Sequence, residues 1–69
     1  TLTRVIEPEP GDVLLLTMGG SPQNLGIHAG EHLIHTYNGG PKQVIATRLS
    51  AALRAWPLDS AWRFPSLIA

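Results

Sequence analysis

The chain contains no cysteine. That absence excludes disulfides, thiolate metal sites and a thiol nucleophile, and it leaves the redox compartment unreadable. Charge of either sign is scarce. Five Lys and Arg balance five Asp and Glu, for a formal net charge of zero. With no basic run or basic face, nothing is offered to nucleic acid or to an anionic membrane surface. Long hydrophobic runs are missing too. The longest uninterrupted one is Val13 to Leu16, far short of the roughly 20 residues that span a bilayer, and no signal peptide is visible. The first residue is Thr1 rather than methionine, which reads as a chain processed, trimmed or cut from something longer. Sixty-nine residues allow one domain at most, with a small share of its surface buried. The hydrophobic fraction of 43% is enough for a small core and argues against disorder. Zero net charge removes the repulsion that keeps copies apart, so self-association is expected.

Short apolar segments separated by turn residues make up the rest. Thr1 to Val5 reads as an extended segment. Glu7-Pro8-Glu9-Pro10-Gly11 breaks it, because the prolines remove backbone donors and fix φ. Asp12 to Thr17 reads as a buried strand, Met18 to Gln23 as a loop, and Asn24 to His28 as a second strand. Ala29-Gly30 is the expected two-residue turn and His32 to Tyr37 the third strand. Asn38-Gly39-Gly40-Pro41 reads as a further turn, followed by a strand from Lys42 to Ala46. The period then changes. Leu49, Ala52, Leu53 and Trp56 fall at i, i+3, i+4 and i+7, one face of a helix. Thr47 is its expected N-cap and Pro57 its stop. Ala61 to Phe64 reads as a last strand ended by Pro65. The expected fold is therefore mainly β (α+β): a small antiparallel sheet or SH3-like open barrel, with one short helix before the final strand, over a single domain from residue 1 to 69.

A turn at Ala29-Gly30 sets a register. His28 would oppose Glu31, Gly26 would oppose Leu33, and Asn24 would oppose His35. Asn24 and His35 would then share one face, with Leu25 and Ile27 pointing to the core on the other. An Asn-His pair can hold an imidazole in one tautomer, as catalysis requires, and it can equally be a polar pair on a half-exposed sheet. His28, His32 and His35 crowd the same hairpin. His32 and His35 point to opposite faces, and Glu31 is the hairpin's only carboxylate, so no metal site is expected. Gly19, Gly20, Gly39 and Gly40 make no phosphate loop, since none precedes a helix in the required order. No cofactor is expected. Trp56 and Trp62 read as core anchors.

Pro8-Glu9-Pro10-Gly11-Asp12-Val13, then Asn24-Leu25-Gly26-Ile27-His28-Ala29-Gly30, then Leu33-Ile34-His35-Thr36-Tyr37 stand in an order that resembles the C-terminal half of NlpC/P60 cysteine peptidases, cell-wall hydrolases of papain-like fold. In that family a Pro-x-Pro-Gly-Asp-Leu segment opens a strand. A histidine in a segment like His-Val-Gly-Ile-Tyr-x-Gly is the base, and a polar residue in a segment like Phe-Ile-His-Ala orients it. The tail from Ala55-Trp56-Pro57 to Trp62-Arg63-Phe64-Pro65 is similar to peptidases of phage tails and gene transfer agents. The resemblance implies a peptidoglycan peptide as substrate, thiolate attack as mechanism, and a place in the bacterial envelope or a virion. By resemblance His35 is the orienting residue and Asn24 stands at the base position. His28, at the family's tyrosine position and on the face of Asn24, is the substitute candidate.

Two departures limit what the resemblance implies: asparagine is not a general base, and the hairpin is about one residue shorter than is usual in the family. The cysteine-bearing helix would lie before Thr1. The expectation is an inactive half domain or degenerate relative. Its uncovered sheet face would be met by a second copy, as a homodimer, or by a missing N-terminal segment. The alternative is a non-catalytic SH3-like binding or structural module of a phage tail or cell-wall assembly.

Overall fold

The computed structural model describes residues 1–37 and 43–65. These hold β1 (Thr3–Val5), β2 (Val13–Met18), β3 (Ser21–Ala29), β4 (His32–Tyr37), β5 (Gln43–Arg48), α1 (Leu49–Ala55) and β6 (Leu58–Arg63). All strand pairs are antiparallel, in the order β1-β6-β2-β3-β4-β5. Strands β2 to β5 form a meander. After α1 the chain returns to the free side of β2, and β1 pairs on β6. The sheet is open, with β1 and β5 at its edges. This is the mainly-β layout expected, helix before last strand included. The expected turn at Asn38–Pro41 and the first residue of the expected fourth strand, Lys42, lie outside the described residues.

The core follows from alternation along the strands. Leu14 and Leu16 of β2 are fully buried and meet Leu33 of β4, Ala61 of β6 and Ala52 of α1. Val5, Leu49 and Trp56 pack against this cluster. Leu53, expected on the same helix face, is 37% exposed. Thr47 is not the N-cap: Arg48 holds that position and no side chain caps the helix. The Leu49 N–H instead donates to the Glu31 carbonyl at 2.8 Å, so the β3–β4 turn satisfies the helix start. At the other end Trp56 is extended (φ −131°, ψ 100°), as Pro57 requires of the residue before it.

Two turns differ from expectation. Met18 to Gln23 is not a loop. A two-residue turn at Gly19-Gly20 pairs Met18 with Ser21, and β3 starts there. Pro22 lies within the strand opposite Thr17, beside a register slip between Leu16 and Thr17, where a bulge tolerates a residue with no N–H. The second difference is the β3–β4 turn, which is Gly30-Glu31 and not Ala29-Gly30. Ala29 pairs with His32, His28 with Leu33, and Gly26 with His35. Gly30 has φ 76° and Glu31 does not share a positive φ, which suits a turn with glycine at its first central position. Moving the turn by one residue slips the pairing by two, so each residue keeps its face.

What inverts is which face is the core. Leu25 and Ile27 were expected inside and are 59% and 39% exposed, while Asn24 is buried. The reason is Gly26. A Cβ there would lie 2.5 and 2.8 Å from Leu33 Cδ1 and Cγ. The space over Gly26 is therefore filled by Leu33, and the side of β3 carrying Asn24 and Gly26 becomes the inner one.

Candidate functional site

The inner face of β3, β4 and β5 carries a polar strip. His35 stands opposite Gly26 on one side and Ile45 on the other. The His35 side chain lies in the sheet interior and is only 4% exposed. Its Nδ1 is 3.2 Å from the Thr36 carbonyl oxygen and its Nε2 is 2.8 Å from Thr47 Oγ1. A carbonyl only accepts, so Nδ1 carries a proton towards Thr36, while the Thr47 hydroxyl can donate to or accept from Nε2. Trp56 closes the site, edge-on to His35 with ring centroids 5.5 Å apart and planes at 70°, a favoured aromatic geometry. The site holds one imidazole by both ring nitrogens and keeps it from solvent.

Asn24 and His28 share this face with His35 but do not join it by hydrogen bonds. Asn24 opposes Leu16, one diagonal step from His35, and its buried Nδ2 has no hydrogen-bond partner among the described residues. The expected direct opposition of Asn24 and His35 is replaced by Gly26 opposite His35. His28 is half-buried near the turn, where its Nδ1 accepts from the Gly30 N–H at 3.1 Å. His32 lies on the outer face, opposite Ala29 and Arg48. Among the described residues no three His, Asp or Glu side chains converge as a metal site, and no helix is long and apolar enough to cross a membrane.

A second polar cluster lies at the start of β2. Asp12 is 2% exposed. Arg63 of β6 grips it with two hydrogen bonds, Nε to Oδ1 and Nη2 to Oδ2, both 2.9 Å. The Glu9 N–H donates to Oδ2 at 2.8 Å, and Glu9 Oε2 is 2.9 Å from Arg63 Nη2. The Asp12 N–H returns to the Glu9 carbonyl at 3.0 Å. Together these bonds fix the turn before β2 and tie it to a strand 51 residues later. The hydrogen bonds from Arg63, then the one from Glu9, hold the Asp12 carboxyl below its ordinary range, and Asp12 in turn raises Arg63. This bidentate pairing is the strong form of a carboxylate–guanidinium contact.

Sequence reasoning singled out His35, Asn24 and His28 and missed the groups that hold them. Thr47 was assigned to the helix and instead bonds His35. Trp56 was assigned to the core and also covers the imidazole. Asp12 was noticed as part of a motif, but Arg63 carried no signal, since its partner lies at the other end of the chain. Comparison with protein-family models, with curated proteins and with solved structures gives no match. The fold defines a small open antiparallel sheet with one helix.

Proposed function

We propose that this chain is a cysteine-free relative of the C-terminal half of NlpC/P60 cell-wall peptidases, inactive by itself, with a peptidoglycan peptide as the ligand its inner face evolved around. The observation that carries the reading is His35: a buried imidazole with hydrogen-bond partners at both ring nitrogens, on the same sheet face as Asn24, the two standing where the sequence resemblance would put the family's orienting residue and base. The Pro8-Glu9-Pro10-Gly11-Asp12 segment supports it, because Asp12 is a built-in structural position and not an incidental surface acid. Family chemistry is thiolate attack followed by acyl-enzyme hydrolysis. This chain has no thiol, Asn24 cannot take a proton as a base, and His28 spends its Nδ1 on the Gly30 N–H.

A second reading, a non-catalytic SH3-like binding or structural module of a tail or cell-wall assembly, is favoured by the exposed apolar residues Leu25, Ile27 and Val44 of the outer face. Titration of the chain with purified muropeptides separates the two. The first reading expects binding that weakens at least tenfold in folded Asn24→Leu and His35→Gln variants. Binding indifferent to both substitutions favours the module. No binding at millimolar ligand removes the peptide from both.

A further inference from the structure

We propose that Thr47 is a nucleophile with His35 as its general base, and that the pair takes up acyl groups from activated esters and thioesters. A hydroxyl within hydrogen-bond reach of a base, with the base held in turn by a third group, is the signature of an activated nucleophile. Thr47 Oγ1 lies 2.8 Å from His35 Nε2, and His35 Nδ1 lies 3.2 Å from the Thr36 carbonyl oxygen. Nδ1 carries a proton towards that carbonyl, so in the neutral ring the lone pair is on Nε2, where the hydroxyl proton can pass. The Thr36 carbonyl thus takes the orienting place that a side-chain carboxylate or amide takes in a catalytic triad. Burial is divided between the two residues in the sense the chemistry needs. His35 is 4% exposed, behind the edge-on Trp56 ring. Thr47 is half-buried and stands on β5, at the edge of the sheet, so a reagent reaches the hydroxyl with the base behind it. The backbone holds the nucleophile in place. Thr47 opposes Leu33 of β4, and the helix start just after it is tied to the β3–β4 turn by the Leu49 N–H, which donates to the Glu31 carbonyl. No side chain caps α1; the threonine hydroxyl just before it is turned to the imidazole.

The step balances with the groups named. Thr47 Oγ1 attacks the acyl carbonyl carbon while its proton moves to His35 Nε2. The bond from that carbon to the leaving oxygen or sulfur then breaks, and its electron pair goes with the phenolate or thiolate. The imidazolium returns the proton to the medium or to the leaving group, and an ester stands on Thr47. Attack by water on that ester, with Nε2 again as base, releases the acid and restores the hydroxyl. The substrate class follows from the leaving group. Phenols and thiols depart as stable anions. The amine of an amide must be protonated to leave, and its carbonyl calls for oxyanion donors, which a nucleophile and a base alone do not supply. Stem-peptide amides therefore stay intact, and the proposal stands whether or not the peptidase relationship holds.

Incubation of the whole chain with p-nitrophenyl acetate tests it, followed by nitrophenolate absorbance and by mass spectrometry that locates the acetyl group in the digested chain. The expected result is an acetyl group on Thr47. His35→Gln should slow that labelling by about a hundredfold or more, the scale of a general base. Thr47→Val should remove the label together with the nitrophenolate release that accompanies it, and Thr47→Ser should carry the label on the serine. His32→Gln, on the outer face, should change neither readout. Circular dichroism confirms folding; should His35→Gln fail to fold, Thr47→Val and Thr47→Ser carry the test. Acetyl confined to a histidine, a lysine or the N-terminus overturns the proposal, because the reacting group is then not Thr47. Release undiminished in folded Thr47→Val, or none above the rate in buffer from the parent, overturns it as well. Muropeptide binding plays no part in either readout, so this proposal and the peptidase reading can fail separately.

Discussion

At the scale of single residues, three polar groups in the interior do different work. Asp12 is the most constrained. Its folded-state pKa lies below the ordinary carboxylate value of 3.8, so its ionised form is favoured by folding. For such a group the stabilisation is present above the unfolded value and is lost as pH falls through the depressed one. The thermal midpoint of the parent should therefore drop as pH is lowered from 5 towards 2, and Asp12→Asn should flatten that dependence while lowering stability at neutral pH. Melts across that range check it. An unchanged slope in Asp12→Asn would place the acid sensitivity on other carboxylates. Asn24 is the opposite case, a buried amide nitrogen with no hydrogen-bond partner among the described residues. Burying such a donor costs about 1–3 kcal/mol, so Asn24→Leu should leave stability unchanged or raise it by up to about that amount in urea unfolding. Destabilisation by more than ~1 kcal/mol would mean that the amide makes a bond this geometry does not contain.

At the scale of elements, the β3–β4 hairpin and the helix seated on it decide the architecture. Gly26 is the pivot, because Leu33 occupies the volume a Cβ would take. Gly26→Ala should cost about 1–3 kcal/mol by overpacking, read as a lower urea midpoint at unchanged slope. A neutral effect would show that Leu33 can move aside freely. Trp56 packs against the core but is only partly buried. Full burial of such a ring would make truncation worth ~3–5 kcal/mol; half-burial predicts ~2 kcal/mol for Trp56→Ala, together with release of α1 from the sheet in hydrogen exchange. Element existence was largely legible in the sequence, for clear physical reasons. The apolar run from Val13 marks β2, the 3.6 period marks α1, and Pro57 marks its end. What stayed hidden was the identity of the inner face. Both faces of the hairpin carry apolar side chains, so hydrophobicity favoured Leu25 and Ile27, whereas the choice is made by the missing Cβ of Gly26 and the bulk of Leu33. The turn at Gly30-Glu31 was missed by one residue because glycine was placed second in the turn, while its φ of 76° serves the first position.

At the scale of the whole molecule, the chain is a single sheet whose inner side is closed by seven residues of helix and whose outer side is left apolar. The Asp12–Arg63 pair ties the start of β2 to the end of β6, so the sheet order depends on contacts that no local pattern announces. The candidate site was legible only in part for the same reason. His35 and Asn24 stand out by type and spacing, but the Thr47 hydroxyl and the Trp56 ring reach His35 through packing of β5 and α1 on β4. The function proposed for this arrangement is that of a peptidase-like half domain without its nucleophile. The most direct measurement is to incubate the purified chain with muropeptides over a long time course and examine the products by mass spectrometry. The account predicts intact stem peptides from the parent and from His35→Gln alike. Cleavage by the parent that disappears in His35→Gln would contradict it and would require a nucleophile other than a thiol.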